Sequence, residues 1–89
     1  MLLSIVVPVY NEEENIANFY KAVTDVMSGL TYDYELIFVD DGSSDSSAMI
    51  LREIAYNDKH VKVLLLARNF GHQTALTCGL DYAHGDAVI

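Results

Sequence analysis

With 89 residues, the chain makes one small domain at most and buries only roughly 60–65% of the surface its unfolded state exposes. A net charge of −8 with only five basic residues argues against electrostatic nucleic-acid binding, which needs clustered Lys and Arg. No apolar run approaches the roughly 20 residues of a membrane helix, and one cysteine excludes an internal disulfide, so a reducing, cytoplasmic setting is the default expectation.

The first element is an almost continuous apolar and β-branched run from Leu3 to Val9, the pattern of a parallel strand covered on both faces. It lacks the basic start and small-residue cleavage site of a signal peptide. Pro8 within it is unexpected, since proline removes a ladder donor, and near a strand end it can mark a kink. Tyr10-Asn11 ends the strand. Asn11 is expected to cap the next helix, with Glu12, Glu13 and Glu14 in its first turn, where carboxylates favour the positive end of the macrodipole. Ile16, Phe19, Tyr20, Val23, Met27 and Leu30 then recur at helical spacing, and Ser28-Gly29 offers a stop.

A second strand is expected from Tyr34 to Val39, followed by the acidic turn Asp40-Asp41-Gly42-Ser43. Ser44 or Asp45 opens a helix with Ala48, Leu51, Ile54 and Ala55 on its core face, ended by Asn57-Asp58. Val61 to Ala67 reads as a third strand and Arg68-Asn69-Phe70-Gly71-His72 as a loop, with His72 a candidate cap. A third helix follows from about Gln73 to Ala83, with Ala75, Leu76, Gly79 and Leu80 on one face and Cys78 as a small buried filler. Gly85 suits a C-terminal cap. Asp86-Ala87-Val88-Ile89 begins a fourth strand. The pattern βαβαβαβ calls for right-handed crossovers and a Rossmann-like parallel sheet, the α/β class. Ending on the opening residues of a buried strand, the chain reads as the N-terminal part of a longer protein, and its unfinished sheet edge invites pairing between copies as a homo-oligomer.

Three loops leave the carboxyl ends of the first three strands: 8–12, 40–43 and 68–72. In a doubly wound sheet they share the edge where ligands bind. Neither G-x-G-x-x-G nor G-x-x-x-x-G-K-[ST] follows the first strand, so a dinucleotide site or a P-loop is not expected. Asp40 and Asp41 are adjacent on a strand end and point to opposite faces, so one is expected to face a ligand while the other braces a loop. Accepting hydrogen bonds from a nucleotide, helping to hold a metal and simply forming a solvated turn all remain open on residue type alone. Glu12 stands nearest the crevice, while Glu13 and Glu14 are expected to serve only as first-turn acids. Arg68 lies on the same edge, where it either meets a ligand or pairs with Asp40 or Asp41. No His/Cys/Asp grouping has metal-ligand spacing, and no Ser-His-Asp arrangement is legible.

Val6-Val7-Pro8-Val9-Tyr10-Asn11-Glu12, Val39-Asp40-Asp41-Gly42-Ser43-Ser44-Asp45 and Arg68-Asn69-Phe70-Gly71-His72-Gln73, in that order, resemble family 2 glycosyltransferases of the GT-A fold. The loop at Arg68, followed by Ala75-Leu76 and Gly79-Leu80-Asp81-Tyr82-Ala83, is more similar to the polyprenyl-phosphate branch, which includes dolichyl-phosphate mannosyltransferases and bactoprenol glucosyltransferases. The resemblance implies a nucleotide pocket lined by Pro8, Tyr10, Glu12, Arg68 and Gly71, with Asp41 accepting a hydrogen bond from the base and Asp40 supporting the loop. It further implies a UDP- or GDP-sugar donor, a polyprenyl phosphate acceptor and a parent protein at the cytoplasmic face of the membrane. Mg²⁺ or Mn²⁺ would be held by an Asp-x-Asp motif beyond Ile89, and the catalytic residues would also lie there, leaving this piece alone inactive. Two rival readings are a non-catalytic nucleotide-binding domain and a receiver-like regulatory domain. The latter lacks an aspartate at the end of the third strand, where Ala67-Arg68 stands.

Overall fold

The computed structural model describes residues 2–68, 71–85 and 87–88. Seven elements alternate along the chain: β1 (Leu2–Val9), α1 (Ile16–Ser28), β2 (Asp33–Asp40), α2 (Ser47–Asn57), β3 (Val61–Leu65), α3 (His72–Tyr82) and β4 (Ala87–Val88). All strand pairs are parallel, in the order β3-β2-β1-β4. The chain steps outward twice, β1 to β2 to β3, then returns past β1 to β4, which makes the β1/β4 boundary the topological switch point.

β2 is the centre because it is apolar on both sides. Leu36, Ile37, Phe38 and Val39 are all at most 1% exposed. Alternation sends Leu36 and Phe38 to one face, where they meet Val9, Ile16, Leu51 and Val61 beneath α1 and α2. Ile37 and Val39 go to the other, with Val6 and Ala75 beneath α3. Full burial of each such side chain stabilises by roughly 1.5–3 kcal/mol. Cys78 is a half-buried neighbour of the second cluster, which agrees with a filler role.

Several boundaries differ from expectation, each for a local reason. Asn11 does not cap α1. It adopts φ 51° and spends its amide and side chain on the neighbouring loop, so the helix begins only at Ile16 with Asn15 at the cap position. Glu12, Glu13 and Glu14 therefore precede the helix, and its first turn holds no acid. Likewise α2 begins at Ser47 rather than Ser44 or Asp45, because residues 43–46 are engaged across to that same loop. Its inward face is as expected, with Leu51 buried and Ala48, Ile54 and Ala55 half-buried.

In α3 the expected face is half right. Ala75 and Gly79 are buried, but Leu76 and Leu80 are 40% and 52% exposed. The helix presses its smallest residues to the sheet, which turns the adjacent leucines outward. Gly71, not His72, holds its cap position.

Gly85 is no helix cap either, since Ala83 ends α3. A Cβ at Gly85 would stand 2.3 Å from Ser4 Oγ and 2.8 Å from Ser4 N, so the glycine is required by close passage over β1. β3 stops at Leu65 rather than Ala67. The expected residues Asn69, Phe70, Asp86 and Ile89 lie outside the described residues.

Pro8 does not interrupt the β1–β2 ladder. The Val9 carbonyl accepts the Asp41 N–H on the β2 side. Its neighbour Pro8 therefore turns its donorless nitrogen the other way, toward the β4 side, where the described residues pair with Leu3 and Ser4.

A buried carboxylate, Glu35, ties the opposite end of the sheet together. Its Oε2 accepts the Ser4 hydroxyl at 2.5 Å and the His84 N–H at 2.7 Å, and Gly85 N–H donates to the Ser4 oxygen at 2.8 Å. Burial pushes the Glu35 pKa up, but the Ser4 and His84 hydrogen bonds and the nearby His84 and Lys62 charges outweigh it, leaving it below the ordinary value. Asp58 behaves alike: burial opposes ionisation, while the Tyr20 hydroxyl and the His60 backbone and ring favour it and prevail.

A carboxylate with a depressed pKa contributes stability above its unfolded pKa and loses it as pH falls through the folded value. The free energy of unfolding in urea is therefore expected to be flat from pH 7 to about 5, then to fall below about pH 4. Glu35→Gln makes that fall shallower. An unchanged acid slope in this variant would remove Glu35 from the account.

Candidate functional site

The register sets the three carboxyl ends level. Val9 lies beside Asp40, and Asp40 beside Leu65. The ladder continues one step past the strands, with Asp41 N–H donating to Val9 O at 2.8 Å and Leu66 N–H donating to Asp40 O at 2.9 Å. The loops that follow therefore start from one height and meet.

The acidic turn stands between its two neighbours. Asp40 is 3% exposed, and its Oδ2 accepts the Ser43 N–H at 3.2 Å, closing the turn on itself. Its Oδ1 is buried without a hydrogen-bond partner among the described residues. Asp41, at 0% exposure, lies on the opposite face, and its Oδ2 accepts the Gly71 N–H at 2.9 Å from the loop before α3. Adjacent strand residues thus reach in opposite directions, one closing its own loop and the other holding the next loop along.

The first loop is bound to the turn by backbone and side chain together. Asn11 N–H donates to Ser43 Oγ (2.9 Å), Glu12 N–H to Ser47 Oγ (3.0 Å) and Glu13 N–H to Asp45 Oδ2 (3.3 Å). In return Ser44 N–H donates to Asn11 Oδ1 (2.9 Å) and Ser46 N–H to Glu13 Oε2 (3.2 Å). Glu13 is thus a cross-loop acceptor rather than the first-turn acid expected of it. Glu14 is exposed in the same turn.

Of the residues singled out from sequence, Pro8 and Glu12 share a small cleft of about 210 Å³ with Val9, Asn15 and Phe38. Glu12 is exposed and its carboxylate accepts the Asn15 side-chain N–H at 3.0 Å. Tyr10 is 36% exposed at the end of β1. Arg68 is exposed beyond β3, and Gly71 is half-buried against Asp41. The structure thus brings Asp40, Asp41 and Gly71 into direct connection and places Tyr10, Glu12 and Arg68 around the same edge.

A larger groove of about 480 Å³ runs between β1 and α1, lined by Leu3, Ile5, Val23, Val26, Met27 and Leu30. It offers no polar group, so it cannot orient a polar ligand. Among the described residues no cluster of three or more His, Cys, Asp or Glu could hold a metal ion. No helix among them is long and apolar enough to cross a membrane.

Sequence reasoning missed Ser43, Ser47 and Glu35 as individual residues. The density of short hydroxyls and carboxylates in residues 40–47 was the available signal for the first two. Glu35 left little trace beyond one acid at the head of an apolar run.

The family model described as "Glycosyl transferase family 2" matches residues 4–89. Relatives include the uncharacterized glycosyltransferase YkcC of Bacillus subtilis (strain 168), 52% identical over 97% of this chain and 27% of its own length. The bactoprenol glucosyl transferase of Shigella phage SfV is 47% identical over 100% of this chain and 29% of its own. Among solved structures, the mannosyltransferase PcManGT from Pyrobaculum calidifontis, in complex with GDP-Man and Mn²⁺, superposes with a TM-score of 0.82. It is 23% identical, with 97% of this chain and 25% of that one covered, a likeness of fold. The chain spans between a quarter and a third of the length of these three proteins.

Proposed function

The chain belongs to glycosyl transferase family 2, and on that premise we propose that it supplies the nucleotide-sugar-binding part of a sugar-transferring enzyme. The carrying observation is the convergence of three loops on the level carboxyl ends of β1, β2 and β3, with the Asp41 carboxylate already accepting an N–H at their centre. Uracil and guanine both carry an imide N–H that needs a fixed acceptor. Asp41 is the acceptor assigned to it, Asp40 the brace of the turn, and Pro8, Tyr10, Glu12, Arg68 and Gly71 the surrounding wall. Because Asp41 is fully buried, a base reaches it only by displacing what covers it.

The donor is a UDP- or GDP-sugar, and the bactoprenol named for the phage relative supports a polyprenyl phosphate as acceptor. Transfer by direct attack of the acceptor phosphate on the anomeric carbon, with inversion, breaks the bond from that carbon to the diphosphate oxygen and releases UDP or GDP; it belongs to the whole protein, at the cytoplasmic face of a membrane. Use of Mg²⁺ or Mn²⁺ is part of the same proposal. Among the described residues no group of three or more His, Cys, Asp or Glu could hold such an ion, and no step is assigned through it.

Titration of UDP and GDP into the ¹⁵N-labelled chain tests the reading. One nucleotide should shift the amides of Tyr10, Asp41 and Gly71 in a saturable way. A flat response to both overturns the nucleotide pocket. A polyprenyl phosphate assay of a longer protein carrying this segment, across a donor panel, tests the transfer itself.

A further inference from the structure

The contacts between the β1–α1 and β2–α2 loops form a closed set with one hub. Asp45 Oδ1 accepts the Ser47 N–H at 2.9 Å, doing the capping of α2 that the Ser46 side chain does not do. Its Oδ2 accepts the Glu13 N–H, and the Ser47 hydroxyl, itself fully buried, accepts the Glu12 N–H. Hydrogen bonding from that hydroxyl is the leading cause holding the Asp45 carboxyl below the ordinary aspartate range. The Ser47 hydroxyl and the Asp45 carboxylate thus each accept one backbone N–H of the first loop, those of Glu12 and Glu13.

Asn11 is pinned from both sides by Ser43 and Ser44 at φ 51°, a conformation uncommon outside glycine and most readily adopted by Asn and Asp. Three consecutive backbone amides, Asn11 to Glu13, are therefore fixed by side chains of the other loop. Tyr10 and Glu12 have no freedom to drift relative to the acidic turn.

We propose that Asp45 and Ser47 are positioning residues of the nucleotide pocket. They touch no ligand, but they lock the loop bearing Tyr10 and Glu12 against the Asp40–Asp41 turn, so that ordering this loop costs nothing at the moment of binding. The inference rests on the nucleotide reading above and adds where part of its affinity resides.

Asp45→Asn separates the two jobs of the hub. Asparagine caps a helix as well as aspartate does, so α2 is kept. The amide cannot both cap and accept the Glu13 N–H as the carboxylate does. Ser47→Ala removes the Glu12 acceptor. Ile54→Ala, on the inward face of α2 and away from the loops, serves as the control that lowers stability alone.

Calorimetric titration with UDP and GDP, urea unfolding and amide exchange at Glu12 and Glu13 are measured on each variant. Asp45→Asn and Ser47→Ala are each expected to weaken binding about fivefold, the worth of one net hydrogen bond. The Glu12 and Glu13 amides should exchange faster, and Asp45→Asn should leave the urea midpoint near that of the unchanged chain. Ile54→Ala should lower the midpoint without changing affinity.

Unchanged affinity in both loop variants, with binding intact in the parent chain, overturns the positioning role and leaves the nucleotide pocket standing. Affinity that tracks the urea midpoint across all three variants also overturns it, by showing stability alone at work. If the parent chain binds neither nucleotide, the pocket reading itself fails. The exchange rates then still report whether Asp45 and Ser47 hold the loop.

Discussion

Asp41→Ala is expected to weaken nucleotide binding by roughly 10- to 100-fold and to destabilise the chain at the same time. The two effects have separate causes. The Asp41 carboxylate is fully buried and accepts the Gly71 N–H at 2.9 Å, so its removal strands a donor inside the protein. A lost hydrogen bond to a charged group costs about 1.5–3 kcal/mol, and the same quantity applies to the bond assigned to the base. Converted to affinity, that is roughly one to two powers of ten. Asp41→Asn distinguishes the causes. One side-chain oxygen still serves Gly71, so the urea midpoint stays close to that of the unchanged chain. The new NH₂ cannot accept from an imide, so affinity falls nearly as far as in the alanine variant. Full affinity in Asp41→Asn would remove Asp41 from base recognition, whatever its effect on stability.

Gly79→Ala is expected to destabilise the chain by about 1–3 kcal/mol, against the direction of helix propensity. In an exposed helix this change gains roughly 0.5–1 kcal/mol. Here the added Cβ would lie 2.2 Å from Val6 Cγ1 and 3.1 Å from Val39 Cγ2. Both neighbours are β-branched and stiff at χ1, so α3 must lift from the sheet to relieve the overlap. A domain of this length has a total stability on the order of 5–10 kcal/mol, so the loss shows clearly in a urea curve. The remedy is specific. In a Val6→Ala background the severe overlap is gone and only the 3.1 Å contact with Val39 Cγ2 remains, so Gly79→Ala should become close to neutral. A stabilising Gly79→Ala with Val6 intact would show that α3 does not pack as closely as described. Lifting α3 also moves Gly71, at its first turn, away from Asp41, so the packing of α3 and the candidate site are linked.

Most of the fold was legible because periodicity is a property of the residues themselves. The run Leu36-Ile37-Phe38-Val39 announced a strand covered on both faces, and the structure buries all four on two different clusters. Helix starts were misread for one reason. Asn11 and Ser44 are good caps in isolation, but each has a better partner on the adjacent loop, 30 or more residues away. Local propensity cannot register a competitor at that distance. Leu76 and Leu80 were misplaced in the same way, since a helical stripe containing Ala75 and Gly79 leaves open which part of it touches the sheet.

By itself the sequence determined the α/β class, the parallel sheet, the edge on which polar loops gather and the family to which the chain belongs. Those follow from the order of apolar runs and from which residue types end them. Only the tertiary structure decided how the site is held together. It levelled the ends of three strands, joined Asp41 to Gly71 and clasped residues 11–13 to residues 43–47. Each of these depends on a distance between residues far apart in the chain, which exists only after the crossovers have packed.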